Sequence, residues 1–556
     1  MKILGINIGE TREGIHLQDG GAALVVDGKI SVAIAEERIT RKKYDGGFIN
    51  SVKYCLNSSG LKLKDIDFFV FSNCCDLSLD YKFLNKVLKK NKLFIPLNKI
   101  IINPSHHMAH ACSTFFASPF DKALLVVVDN EGNILKKKYK SYWKNSLERT
   151  SVYIAEGNKV ELLFRMHDGF NELGIGAAYN YFTKWLGFRS YQDASKTMGL
   201  ASYGGSRFKF VKIFDKEGKC LLKSIHNDKA RSVRELIFDQ SGMDIGLRCE
   251  SVEDPSALQK DIAYLTQTET EKAVISIIQK AIAKTGIKNI CLAGGVALNC
   301  VMNYKIIDQL GVNLFVQPAA GDTGQCLGDA FYGYYISKNG KNRFPYLNSY
   351  LGKSYSFDDI SSALKKYSAK ITYVKQNNLS KKVAQLLSEG NVIGWFSGKS
   401  EFGPRALGNR SILADPRNAS MKDTLNLKVK FREPFRPYAP IVLEEEYGSY
   451  FDLDLPSPFM LLAPSVLAKM RDKIPAVTHV DGTSRVQTIN STQNKKIYSL
   501  IKEFKKLTSV PVILNTSFNI AGEPIVETPD DAIRCFLNTN IDYLIVEDYI
   551  IQKCKK

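Results

Sequence analysis

Apolar residues in the first part of the chain come in short blocks closed by polar turns, a pattern of strands rather than long helices. ILGIN predicts an opening strand, and AALVVDGKISVAIAEER predicts a hairpin turned at Asp27-Gly28. The order returns in ALLVVVDNEGN, TSVYIAEG and KVELLFRM, the last two joined at Gly157-Asn158. KNICLAGGVALNCVMNYKII then predicts a strand, a glycine pair and a helix. LFVQP is a further strand, and a helix opens in AAGDTGQCLGDAFYGYY, where Gly321 and Gly324 flank Asp322. From Ser337 the chain turns polar and turn-rich, which predicts the approach to a linker over 346–368. Beyond it, LSKKVAQLLSEG predicts a helix, NVIGWF a strand, and VPVILNTSFN a strand opening into a polar loop.

The pattern gives an α/β protein with a duplicated N-terminal unit, the signature of the actin-like and sugar-kinase superfold. In that fold a nucleotide lies in the cleft between the copies. One glycine pair at a strand-to-helix turn could be a plain turn; two such turns in succession favour nucleotide phosphates. The 556 residues allow two to four domains, read as 1–345, the linker 346–368, and 369–556. No apolar run reaches a membrane span, and MKILGINIGE reads as a strand rather than a signal peptide. A cytoplasmic enzyme without a membrane partner is expected. The 11 cysteines include no C-x-x-C pair, which suits reduced, buried thiols. The net charge of +19 suits phosphate-rich ligands or nucleic acid, but dispersed lysines, as in KKNKLF and KKKYKSYWK, read as solvated surface.

Candidate chemistry gathers at strand ends. His106 and His110 in SHHMAHA share one helix face, Asp129 ends LLVVVD, and Asp322 follows LFVQP. Two imidazoles and two carboxylates suit a divalent metal: iron(II), manganese or zinc. His107 points about 100° away on the helix and reads as packed. Arginine forks recur in EFGPRALGNRSILADPR (Arg405, Arg410), KVKFREPFRPYAP (Lys430, Arg432, Arg436) and HVDGTSRVQT (His479, Asp481, Arg485), where they suit phosphate or carboxylate.

Together these segments resemble the O-carbamoyltransferase family, which includes the tobramycin, cephem and nodulation-factor carbamoyltransferases. The resemblance runs nearly end to end, through GAALVVDGKI, EERITRKK, HHMAHA, KTMGLASYG, LAGGVALNCVMN, GDTGQCLGDA, EFGPRALGNRSILADPR, KFREPFRPYAP, HVDGTSRVQT and NTSFNIAGEPIVETPDDA. It implies an N-terminal transfer domain and a C-terminal YrdC-like α/β domain. The latter would make carbamoyl-adenylate from Mg-ATP and carbamoyl phosphate. The former would pass the carbamoyl group to a hydroxyl of a small-molecule acceptor, a natural product or sugar. By this resemblance His106, His110, Asp129 and Asp322 are the metal ligands. Gly294, Gly295, Asn299, Asn303 and Gly324 would surround the nucleotide of the first domain. Arg405, Lys430, Arg436, Arg485, Asn515 and Ser517 would form the carbamoyl-phosphate and adenylate pocket, with Asn519 beside them. Lys43 would lie at the acceptor side of the first site.

The general base is open. The family usually carries His-Asp before its SAAL-like strand; in GIHLQDGGAALV Asp19 matches the aspartate, Gln18 takes the histidine column, and His16 is the nearest histidine. Asp193 is a further candidate, or else a helix N-cap. Leu135–Thr150 is more basic than the family's turn and reads as a surface loop or a contact for an anionic acceptor. A tRNA-modifying enzyme of the threonylcarbamoyl-adenosine type would share the first fold and use the positive charge. Its second domain would not carry EFGPRALGNR and HVDGTSRVQT, so a nucleic-acid partner is not the expectation. A homodimer is admitted only as a prior.

Overall fold

The computed structural model describes residues 1–10, 19–73, 79–139, 142–168, 173–222, 228–247 and 252–554. They form two compact units: Met1–Thr40 with Tyr44–Tyr346, and Arg41–Lys43 with Leu347–Lys556.

In the first unit, β1 (Lys2–Ile8), β2 (Gly21–Val26), β3 (Lys29–Ala35), β4 (Phe68–Asn73) and β5 (Ile100–Ile102) form one sheet in the order β3-β2-β1-β4-β5. The first three strands are antiparallel, and β4 and β5 run parallel to β1. The second sheet repeats this arrangement. β6 (Lys122–Val128), β8 (Tyr142–Glu156) and β9 (Lys159–Asp168) are its antiparallel trio, and β10 (Asn289–Ala293) and β11 (Asn313–Val316) its parallel pair. The repeated order is the duplicated actin-like and sugar-kinase-like architecture expected from the pattern. β1 and β6 are buried along nearly their whole length, as strands covered on both faces must be.

Two short helices pack on each other beside these sheets. His106–Phe115 follows β5 and contacts β6, β8 and β10; Gln325–Phe331 contacts β1, β2 and β4. Their backbones meet at Gly328, where a Cβ would lie 1.8 Å from the Ala109 carbonyl oxygen. Only glycine permits that approach.

Leu135–Thr150, expected as a surface loop, forms paired strands instead. β7 (Ile134–Tyr139) pairs with the first half of β8, and residues 140–141 lie outside the described residues. The ribbon's inner end is buried: Leu147, Glu148, Arg149 and Thr150, with Glu148 paired to Arg165 at 2.9 Å. Backbone pairing in continuation of β8 sets this ribbon. Side-chain alternation, which the lysine run hides, does not.

The second unit is built on an eight-stranded mixed sheet, ordered β12-β19-β18-β13-β14-β17-β15-β16. Its strands are β12 (Ile371–Lys375), β13 (Ile393–Phe396), β14 (Arg410–Ala414), β15 (Ala439–Leu443), β16 (Gln487–Ile489), β17 (Val512–Ser517), β18 (Tyr543–Val546) and β19 (Tyr549–Lys553). The span read as a linker, 346–368, is not one. The second unit takes in the chain from Leu347, and Phe357–Lys366 is a helix that buries Ile360, Ala363 and Leu364. Ser356 caps it in a reciprocal box with Asp359. The apolar stripe is only three residues, which is why the polar surroundings hid it.

Eight described cysteines are free, six of them buried. No helix among the described residues is long and apolar enough to cross a membrane.

Candidate functional site

Ser105 caps the helix His106–Phe115 by accepting from the Met108 N–H, which fixes the start of the helix that carries both histidines. The His106 and His110 Nε2 atoms stand 3.2 Å apart. Asp129 Oδ2, at the end of β6, lies 3.0 Å from the first and 3.2 Å from the second. Asp322 Oδ1 lies 3.4 and 3.3 Å from the same two atoms. One ligand atom from each of the four residues falls within 4.8 Å of the others, and all four side chains are buried.

Asp129 is aimed by the backbone. Its Oδ1 accepts from the Asn130 and Gly295 N–H groups at 2.8 and 3.0 Å, which leaves Oδ2 for the histidines. Gly294, just before, has φ +91°, and a Cβ there would lie 2.2 Å from the Val128 carbonyl oxygen. Gly294 is therefore needed to bring β10's end against Asp129. On the other side, the Asn7 amide donates to the carbonyls of both Asp19 and Asp322, at 2.9 and 3.1 Å.

Burial opposes a charged His106, yet Asp322 and Asp129 overcome it and hold the imidazole well above its ordinary range. His110 is raised against burial in the same way, by Asp129 and Asp322. Burial would push Asp129 up, but the two histidines hold its carboxyl well below the usual range, and Asp322 falls to about 2. The pocket thus favours positive charge at its centre, and two nitrogens and two carboxylate oxygens converging on a dry point suit a divalent cation. His107 lies apart, its Nδ1 2.7 Å from Ser151 Oγ, and burial drives its pKa down to about 3.

Gln325 is a member of this cluster that sequence reasoning missed. Its amide nitrogen lies 3.1 Å from His106 Nε2, 3.3 Å from His110 Nε2 and 3.1 Å from Asp322 Oδ1. The signal was its position three residues after Asp322, on the same helical turn.

The expected nucleotide residues divide. Gly295 is exposed beside Asp129, whereas Asn299 is buried as the N-cap of Cys300–Leu310 and exchanges hydrogen bonds with Gln267. Asn303 is fully buried and donates to the Ala297 carbonyl at 2.8 Å. Gly324 sits in the turn after Asp322, where a Cβ would lie 2.0 Å from the Ala319 carbonyl oxygen. Asn299 and Asn303 therefore hold the glycine turn in place.

Among the candidate bases, His16 lies outside the described residues. Asp19 has φ +60°, and Asp19, Glu37 and Asp193 all act on the Tyr44 phenol, which burial and these carboxylates push up. Asp193 does not cap the following helix with its side chain; it accepts from Arg189 and pairs with Lys196 at 3.2 Å. Burial raises Asp193, but Arg189 and Lys196 pull it below the ordinary range, which makes it a weak base. Lys43 is not part of the first unit; it belongs to the second, with Arg41, and acts electrostatically on Lys430.

In the second unit Lys430 is buried and donates to Ser517 O, to Asn519 O at 3.0 Å and to Asn519 Oδ1 at 2.8 Å, all neutral acceptors. Burial, then Arg432, Arg436 and Lys43, hold its ammonium well below the ordinary lysine range. Burial, with Arg436 and Arg485, brings Arg432 down to about 10. Glu433 stands 3.7 Å from Arg436. Ser517 donates to Asn519 Oδ1 at 2.6 Å, and Asn515 sits buried on the same strand, β17. Arg405 is half-buried in the loop before β14. Arg410 is structural: fully buried, it donates to the Ser397 and Gly398 carbonyls and lies 3.6 Å over the Phe396 ring. Arg432, in the same motif as Lys430 and Arg436, is the residue the expected pocket lacked. So many like charges held together favour a bound anion.

Comparison with known proteins agrees in both halves. The family described as Carbamoyltransferase N-terminus matches residues 3–95 and 79–331, and Carbamoyltransferase C-terminus matches 384–553. An uncharacterised protein of Synechocystis sp. is 35% identical over 97% of this chain and 95% of its own length. Nodulation protein NolNO of Sinorhizobium fredii is 33% identical over 97% of this chain and 79% of its own length. Nodulation protein NolO of Bradyrhizobium diazoefficiens is 34% identical over 81% of this chain and 79% of its own length.

Proposed function

Since this chain belongs to the carbamoyltransferase family, we propose that it forms carbamoyl-adenylate from ATP, carbamoyl phosphate and water, releasing inorganic phosphate and pyrophosphate, and transfers the carbamoyl group to a hydroxyl of a small-molecule acceptor, releasing AMP. The observation that carries this reading is the cation cluster of the second unit, where Lys430 and Arg432 hydrogen-bond neutral oxygens and both are held below their ordinary ranges by burial and then by the surrounding cations. A compact, multiply charged anion relieves that repulsion. Arg405, Arg432, Arg436 and Arg485 supply forks for phosphate oxygens, with Lys430 and Lys43 as point charges. Asn515 and Ser517 offer hydrogen bonds to the neutral carbamoyl end. The YrdC-like adenylate-forming role of this unit is part of the same proposal.

In the first unit His106, His110, Asp129 and Asp322 would hold a divalent metal: iron(II), manganese or zinc. Such an ion supplies Lewis-acid stabilisation to phosphate oxygens, here those of the leaving AMP. The Gly295 and Asn130 N–H groups hold Asp129 in the rotamer that faces the centre, and Gln325 packs against the ligand atoms. The acceptor hydroxyl must lose a proton, and His16 or Asp19 would take it, since Arg189 and Lys196 make Asp193 a weak base.

The test is a half-reaction without acceptor: purified protein, ATP, carbamoyl phosphate and a divalent metal, with pyrophosphate followed. Carbamoyl-phosphate-dependent pyrophosphate that is lost in Arg405→Ala and Arg485→Ala is the expected result. No pyrophosphate from folded, metal-loaded protein would sink the proposal.

A further inference from the structure

The lysine run KKNKLF belongs to a surface with a character of its own. The helix Tyr81–Lys90 buries Phe83, Leu84, Val87 and Leu88 against the first sheet's core. Its outer side and the segment that follows leave large apolar groups in solvent: Phe94 is 81% exposed, Leu97 67% and Tyr81 53%. Between helix and segment runs an apolar groove of about 280 Å³, lined in part by Leu84, Leu88, Phe94 and Leu97. Lys89 lines the groove, and Lys82, Lys86, Lys90 and Lys92 are exposed on the same helix and just after it. The one acid between residues 79 and 100 is Asp80, which caps the helix by accepting from the Phe83 N–H. Lys90 also meets Glu10, and the other four exposed lysines face no acid from this segment.

From exposed Phe94 and Leu97 on a segment whose exposed charges are nearly all lysine, we infer that the Tyr81–Lys99 surface docks on an anionic phospholipid bilayer. Two features select a membrane over a protein. The cations of this segment are all lysine, with no arginine from 79 to 100. Protein interfaces are depleted in lysine and enriched in arginine, whereas at a bilayer the lysine stem lies along the apolar boundary and its ammonium reaches the headgroups. Phe94 and Leu97 supply the apolar anchors that an interfacial segment places at the acyl boundary. Nucleic acid would neutralise the lysines but offers no partner for Leu97. The expected absence of a membrane partner is thereby replaced by peripheral attachment, which needs no spanning helix.

The experiment is co-sedimentation of the full chain with vesicles of phosphatidylcholine alone and of phosphatidylcholine mixed with phosphatidylglycerol. Binding only to the mixed vesicles is expected. Lys86→Gln with Lys89→Gln should weaken it about 25-fold, from roughly fivefold per lysine. Phe94→Ser with Leu97→Ser should weaken it by about tenfold or more. A Phe94→Trp variant should shift its emission to the blue on mixed vesicles. All are surface changes, and an unchanged circular dichroism spectrum and melting temperature would confirm folding. Three outcomes overturn the inference: no binding to mixed vesicles, equal binding to pure phosphatidylcholine, or full binding by the Phe94/Leu97 double variant. Displacement of the vesicles by an acidic protein or by RNA that binds through Phe94 would assign the surface to that partner and equally overturn it.

Discussion

Asp129→Asn is the sharpest probe of the four-ligand cluster. The native carboxylate is used twice: Oδ1 accepts two backbone N–H groups, and Oδ2 faces both histidines at 3.0 and 3.2 Å. A carboxamide cannot do both. If its oxygen keeps the backbone donors, its NH₂ points at the ligand centre and repels a cation; if it flips, the NH₂ meets the Asn130 and Gly295 N–H groups. Removing one partner of a buried charge arrangement costs about 3–5 kcal/mol. Metal affinity should therefore fall by about 10²–10⁴-fold. The assay is competition for zinc or manganese against a chromophoric chelator, with metal content measured after dialysis and folding checked by circular dichroism. His107→Gln is the control; His107 lies outside the cluster and should leave affinity within about threefold. A folded Asp129→Asn protein that binds metal as tightly as the parent would refute the claim that these four side chains form the centre.

Four further outcomes are expected. In the metal-free protein, raised His106 contributes stability that is full below its ordinary pKa of 6.5 and lost as pH rises through the raised folded value. Depressed Asp129 and Asp322 contribute stability present above their ordinary 3.8 and lost as pH falls through their lower folded values, so the cluster should stabilise most between about pH 4 and 6.5, read as melting temperature against pH. Metal binding should show the opposite slope, strengthening as pH rises because the imidazoles must give up protons; an affinity independent of pH would contradict this. Arg432→Met should raise the carbamoyl-phosphate KM of pyrophosphate release by about tenfold or more while metal content stays unchanged. Gly328→Ala should lose about 1–3 kcal/mol or more in urea titration, since its methyl would press into the Ala109 carbonyl of a helix that carries both histidines.

Regular backbone and short-range spacing were the most legible parts of the chain. The repeated strand order follows from apolar blocks and turns that recur in one order, and the i, i+4 pair His106–His110 follows from helical geometry. What escaped depends on contacts between distant segments. Nothing local in GGVALN says that the Gly295 N–H holds Asp129, or that Asn299 is taken up by a helix cap and Gln267. Gln325 reads as an ordinary helix residue until the His106 helix is packed against it. Nothing local in EERITRKK says that Arg41–Lys43 is grouped with the second unit. The ribbon at 134–147 and the helix Phe357–Lys366 show the converse: weak patterning becomes regular structure where a neighbouring strand or a core supplies the missing partner.

The three residues Arg41–Lys43 bear on how the gene can be divided. Arg41 donates to the Ile525 and Pro524 carbonyls, each at 2.7 Å, and lies 3.7 Å from Asp531. The second unit is therefore discontinuous in the polypeptide, completed by a tripeptide encoded some 300 codons upstream of its main segment at Leu347. A fragment starting at Leu347 would leave those carbonyls and that carboxylate without their guanidinium and would lack Lys43 beside Lys430. Recombination at the apparent boundary cannot exchange this unit intact. A split version could regain its full complement only if the 41–43 segment were grafted back or supplied in trans.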